Sequence, residues 1–278
     1  MMTLFKLLSA LPLWLLHGLG WLLGWATFIV SGSYRRRFVT NARRAGLGLP
    51  DWWPAVGESG KSVAELPRLW LGSPVALCWD DAAQALVQAS VQAGRGIVFL
   101  TPHLGCFEAT AQAYAQRFGQ HGQPITVLFR PPRQAWLRAL VAGSRQRPGL
   151  LAAPTTLSGV KQMIKALKNG ESVGLLPDQV PPQGMGLMAP FFGREAYTMT
   201  LSVRLIQQTG ACVLLAWGER LRWGRGYRVH VQPLPACLPA ALPDAVAAVN
   251  QAMETLVMQC PGQYLWGYAR YKQPRASL

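Results

Sequence analysis

Residues 96–115 read GIVFLTPHLGCFEATAQAYA. An apolar run with strand character leads into Thr101-Pro102, His103 follows at the turn, and a helical pattern opens near Cys106. In open α/β sheets, sites form at the carboxyl ends of strands, which is where this reading puts His103. Outward from here the pattern alternates. Strands are expected at 124–129, 172–176, 211–217 and 227–231 as well as 96–101, and helices at 81–93, 106–118, 134–147, 157–169, 198–208 and 243–259. Thr198 is the expected N-cap and Gly210 the expected stop of the fifth helix. Alternation of this kind predicts an α/β fold, a mostly parallel mixed sheet flanked by helices.

The chain has 278 residues, of which 50% are hydrophobic and 14% charged, a composition that fits a globular body attached to a bilayer. Its 27 Lys and Arg against 12 Asp and Glu leave a net charge of +15, so an anionic partner is expected. Lys6, Arg35, Arg36, Arg37, Arg43 and Arg44 occur among the first 50 residues without an acid, and nine further basic residues lie between Ala109 and Gly170, again without one. The first cluster adjoins an apolar segment, which favours anionic headgroups, and no nucleic-acid-binding motif is present, so nucleic acid is not an expected partner. Five scattered cysteines with no C-x-x-C pair indicate neither a disulfide framework nor a metal site, and a reducing compartment follows.

Residues 7–30 carry no formal charge and are rich in Leu and Trp, although Pro12, His17 and Gly18 weaken the helix. Their length suits either a single transmembrane span or a half-buried interfacial helix. Arg35, Arg36 and Arg37 follow on the C-terminal side, so the body is expected in the cytoplasm. The expected division is therefore an anchor over 1–33 and a single catalytic-size domain over 34–278.

Glu108 follows His103 by five residues, in the first turns of the predicted helix. Acyl transfer to an alcohol needs a base to take the hydroxyl proton, imidazole has the suitable pKa, and a carboxylate can fix its tautomer. By spacing alone the pair reads equally as a helix cap and a first-turn acid favoured by the dipole. Arg130 and Asp178 each follow a predicted strand and can reach the same end of the sheet. They are suited to binding phosphate or stabilising a developing oxyanion, or to forming an ion pair with each other.

A series of segments in fixed order widens the reading: TPHLGCFE at 101–108, VLFRPPR at 127–133, VKQMIKALKNGESVGLLPDQ at 160–179, APFFGREAYTMT at 189–200 and QYLWGYARYK at 263–272. With these segments the chain resembles the late acyltransferases of lipid A biosynthesis, the lauroyl and myristoyl type within the H-x4-D/E glycerolipid acyltransferase group. The resemblance implies a glycerolipid acyltransferase-like fold. It implies a catalytic dyad of His103 and Glu108, active-site roles for Arg130 and Asp178, and no cofactor or metal. It further implies an acyl-acyl carrier protein donor, a lipid A precursor acceptor, and a place at the cell inner membrane with the catalytic domain on the cytoplasmic side. A different acceptor, such as a glycerophospholipid or aminolipid, and a noncatalytic membrane-bound scaffold are the rival readings. The family's His-Arg-Arg run after a Leu-Trp pair is replaced here by Gly267-Tyr268-Ala269-Arg270, so no catalytic role is carried over to the tail. Phe191 and Phe192 read as a loop over the site, an acyl-channel wall or a core pair. Tyr264, Trp266, Tyr268 and Tyr271 read as interfacial anchors or as a terminal strand packed on the body.

Overall fold

A computed structural model describes residues 2–129 and 147–274. Its centre is a seven-stranded sheet of β1 (Leu77–Trp79), β2 (Ile97–Leu100), β3 (Ile125–Phe129), β4 (Leu150–Pro154), β5 (Ser172–Leu175), β8 (Cys212–Arg220) and β9 (Tyr227–Pro233). Their order is β1-β9-β8-β2-β5-β3-β4, and every neighbouring pair is parallel except β8 with β9. β2 and β5 are buried at every residue, as expected for strands covered on both faces. Strand alternation then divides the core. Val98 and Leu100 join one apolar cluster, while Ile97 and Phe99 join another with Tyr114 and Phe118 from and beside α8 (Phe107–Arg117).

The alternation read from the sequence is therefore observed, with several corrections. β1 and β4 were not expected, and residues 134–146 of the helix expected at 134–147 lie outside the described residues. Thr198 does not cap a helix. It lies in β7 (Arg194–Met199), which pairs antiparallel with β6 (Gly186–Phe191), and the helix that follows, Leu201–Thr209, has Thr200 at its N-cap and Gly210 as its left-handed stop. Phe191 and Phe192 belong to this hairpin and pack as a core pair, with Phe192 against Trp266. The tail from Tyr264 is not a strand; Tyr264, Trp266 and Arg270 are buried within the body.

The N-terminal region is a set of helices: α1 (Met2–Ala10), α2 (Leu13–Val30), α3 (Gly32–Arg44), α5 (Pro54–Ala64) and α6 (Leu66–Leu71), with the short α4 (Leu49–Trp52) between α3 and α5. Pro12 precedes the first residue of α2 and separates it from α1. One face of α2 lies directly on α5. A Cβ added at Gly60 would fall 1.9 Å from the Gly20 carbonyl oxygen, and one at Gly24 would fall 2.3 Å from that of Val56. Only glycine allows backbones this close, so α2 is docked along its length and does not stand free of the body.

The same face carries His17, whose Nε2 donates to Glu65 Oε2 at 3.1 Å. Arg220, at the end of β8, donates to both oxygens of Glu65 through Nε and Nη2 at 2.7–3.1 Å, and the Tyr227 hydroxyl donates at 2.9 Å. Glu65 is 1% exposed. Burial alone would raise its pKa, but the charge of Arg220 and the hydrogen bonds from His17 and Arg220 outweigh it and hold the carboxyl at about 2. A carboxyl depressed in this way stabilises the fold above its unfolded pKa, near 4.5, and loses that contribution as pH falls toward 2. The contribution is on the order of 3 kcal/mol. Glu65→Gln leaves Arg220 with its longer pair to Glu58, 3.5 Å from Nη1, so at neutral pH the variant should lose about 3 kcal/mol in urea melts. The gap to wild type should close between about pH 4.5 and 2. A gap of constant size across that range would contradict the pairing.

Candidate functional site

The β2–β5 register builds the site. Leu100 pairs with Leu175, and His103 and Asp178 each lie three residues beyond that pair, in the two adjacent turns at the same end of the sheet. The His103 turn is pinned on both sides: Gly105 N donates to Gln263 O at 3.0 Å, Cys106 N to Gly218 O at 2.7 Å, and Leu265 N to His103 O at 3.2 Å. Gly105 sits at φ +59°, and a Cβ there would fall 2.0 Å from the Gly218 oxygen, so both conformation and space require glycine.

Asp178 Oδ1 lies 2.7 Å from His103 Nδ1, and Oδ2 accepts from the His103 backbone N–H at 2.8 Å and from the Tyr264 hydroxyl at 3.2 Å. Burial of Asp178 works against its charged form, but the His103 hydrogen bonds and the charges of His103 and Arg270 prevail and hold its pKa below the usual carboxylate value. An ionised Asp178 is an acceptor only, which puts the imidazole proton on Nδ1 and leaves the lone pair on Nε2. That nitrogen is 2.9 Å from Gln179 Nε2, so the Gln179 amide donates to it. Thus Nε2 is a proton acceptor, and Asp178 is placed to stabilise the imidazolium that proton uptake would create.

Asp178, expected as a residue that binds substrate or stabilises charge, is thus a carboxylate that hydrogen-bonds the ring. Glu108 is buried in the first turn of α8; burial lowers the pKa of Arg147, and the charge of Glu108 offsets part of that fall. Arg130 lies outside the described residues, and with it both its expected charge-binding role and the alternative of an ion pair with Asp178. Sequence reading gave no site role to Gln179, Tyr264 or Phe107. Gln179 adjoins Asp178 and was within reach of the same argument; the other two need the fold.

Two cavities meet at Phe107, whose ring packs edge-on against His103 at 5.1 Å. The larger, about 640 Å³ of empty space, lies between α8 and the sheet and is lined by Phe99, Tyr114, Val127, Gly174 and Ala216, with Thr101 and Glu108 among its few polar groups. This apolar wall suits a hydrocarbon chain. The smaller, about 280 Å³, is lined by His103, Gly105 and Phe107, by Glu58, Ser59 and Ser62 of α5, and by Arg220 and Gln263.

The profile described as bacterial lipid A biosynthesis acyltransferase matches residues 84–273. The chain is 33% identical over 181 residues to the lipid A biosynthesis lauroyltransferase of Escherichia coli, covering 64% of this chain and 55% of that protein. It is 28% identical over 151 residues to the lipid A biosynthesis palmitoleoyltransferase of the same organism, covering 54% and 49%. A lipid A biosynthesis acyltransferase of Haemophilus influenzae is 22% identical over 173 residues, covering 62% and 52%. The chain spans about half the length of the curated relatives it matches.

Proposed function

Since the chain belongs to the bacterial lipid A biosynthesis acyltransferase family, we propose that it transfers a fatty acyl chain from an acyl carrier protein thioester to a hydroxyl of a lipid A precursor. The observation that carries this reading is the imidazole of His103: its tautomer is set by Asp178, its Nε2 lone pair is available as a base, and an apolar cavity opens across the Phe107 ring. The acceptor hydroxyl displaces the Gln179 amide from Nε2 and attacks the thioester carbonyl as its proton passes to the imidazole. The tetrahedral intermediate then collapses, the C–S bond breaks, the carrier thiolate takes the proton back, and an ester remains. Asp178 positions the ring. Glu108, catalytic by family resemblance, lines the acyl cavity next to Phe107 and stabilises the imidazolium from that side. The thiol carrier is favoured by the basic stretch from Ala109 to Gly170, which would steer an acidic protein. Arg130, which follows Phe129 in sequence, serves to bind negative charge on substrate or intermediate.

Substitutions separate these roles. In acyl-transfer assays His103→Ala should lower kcat by roughly 10²-fold or more. Asp178→Asn should be comparably severe, because an amide can present its N–H to Nδ1 and invert the tautomer. Glu108→Ala should also fall mainly in kcat, with Glu108→Gln milder. A folded His103→Ala protein of near wild-type activity would sink the mechanism. Chain length reports on the cavity: a side chain at Gly174 would project between Val127 and Ile125, so Gly174→Val should shift preference toward shorter thioesters. An unchanged preference in competition between donors would remove the acyl chain from that cavity.

Attachment to the cytoplasmic face of the inner membrane is part of this proposal, and α2 supports attachment as a helix long and apolar enough to cross a bilayer but docked on α5 through one face. The opposite face leaves Trp14, Leu19, Leu22, Leu23 and Ile29 exposed, and the arginines of α3 follow. This favours a helix sunk in the interface over a free span. Wild-type protein should stay with membranes in about 1 M salt, where the Debye length is about 3 Å. A Leu22→Glu, Leu23→Glu double variant should be released. Full release of the wild type by salt alone would make the attachment electrostatic.

A further inference from the structure

β8 ends at Arg220 and β9 begins at Tyr227, both buried against Glu65, and the hairpin between them lies at the surface. Residues 220–228 read RLRWGRGYR, with four arginines and no acid. Leu221 N donates to Gly226 O at 2.9 Å and closes the turn, which leaves Arg222, Trp223 and Arg225 exposed. Trp223 is 86% exposed and sits at φ +60°, ψ +27°. A bulky side chain in the left-handed region is an outlier, at a position that Gly, Asn or Asp fills more readily. The ring gains no burial in exchange for this strain, so packing does not explain the residue.

The hairpin continues a larger apolar surface. Gly224 rests on the first turn of α2: a Cβ there would clash with the backbone nitrogen of Trp14, itself 59% exposed. Trp14 lies on the side of α2 that also exposes Leu22 and Ile29. Trp223 thus extends the apolar face of α2 at its N-terminal end, and the arginines of α3 follow at the other. The body touches both ends of this helix. Gly224 meets its start, and just past its end Arg37 Nε of α3 donates to Gly267 O of the tail at 2.6 Å. If α2 crossed a bilayer, about 30 Å of hydrocarbon would separate these two contacts. If α2 lies in the interface, both stay on one side and the hairpin reaches the same surface. Tryptophan rings collect at the headgroup level, and arginine binds phosphate oxygens in pairs. An acidic carrier protein would also attract the arginines, but the apolar continuity with α2 favours lipid.

We propose that the β8–β9 hairpin is a second membrane-contact element, in which Trp223 enters the headgroup layer of an anionic bilayer and Arg222 and Arg225 hold phospholipid phosphates beside it. This rests on the interfacial attachment of α2 and adds a contact off the helix axis, which fixes the rotation of the body about α2.

The test uses full-length protein diluted from detergent and titrated with vesicles, one set of phosphatidylcholine and one of phosphatidylcholine with phosphatidylglycerol; flotation reads the bound fraction. Trp223→Gly should weaken binding about 10-fold on both sets, the loss expected for one large apolar side chain. It should not lower the unfolding temperature, because glycine relieves the left-handed strain. A packing role cannot give that combination. An Arg222→Gln, Arg225→Gln double variant should lose roughly 5-fold per charge, and only on the phosphatidylglycerol set. It decides if Trp223→Gly does not fold. Unchanged vesicle binding in either folded variant would overturn the hairpin contact and leave attachment through α2 standing. Failure of the wild type to bind either set would overturn both. Vesicle binding that survives while affinity for acyl carrier protein falls would assign the hairpin to the carrier and overturn the proposal.

Discussion

The parallel pairing of β2 with β5 is the constraint on which the site depends. Because Leu100 and Leu175 are in register, the turns that follow carry His103 and Asp178 to the same height above the sheet. One carboxylate can then accept both the ring N–H and the backbone N–H of His103. A slip of one residue in either strand would turn the apolar side chains of both faces inside out, so burial of β2 and β5 enforces the geometry of the histidine. Core packing and site chemistry are in this sense one specification.

A second specification joins the helical N-terminal region to the sheet. Glu65 draws His17 from α2, Arg220 from β8 and Tyr227 from β9 to one buried point. A charge removed from water needs compensation of this kind, and each partner fixes one element against another. The glycine contacts between α2 and α5 then set the spacing. The smaller cavity lies within this frame, with α5 on one side and the His103 turn on the other.

Much of the fold was legible in the sequence because its signals are local. The apolar runs at 96–101 and 172–176 read as buried strands, and Gly210 read as a helix stop for the reason the structure shows, a left-handed backbone. Shorter or less regular signals were lost. β1 has three residues, β4 ends in Pro154, and the β6–β7 turn is made by Phe192-Gly193, where Phe192 adopts an uncommon φ of +45°. Thr198 has the chemistry of a cap, but β7 runs through it. In the site, the strand ends pointed to His103 and Asp178 separately. That they hydrogen-bond each other depends on register across 75 residues, and Arg220 with Glu65 on a contact across 155, neither of which periodicity reports. Nor does the apolar composition of α2 distinguish the face that docks on α5 from the face left outside.

Phe107 lines both cavities and divides them. On the proposed reaction each substrate occupies one chamber, so neither obstructs the other and the two can enter in either order. The ester product differs from both, because it threads the partition with its new chain on one side and its polar body on the other. Its departure requires the whole hydrocarbon tail to be drawn back past a single aromatic ring, against the burial of about 0.8 kcal/mol per methylene. The step that frees the enzyme for another cycle thus grows more costly with each carbon, and length selectivity at entry carries a matching delay at exit.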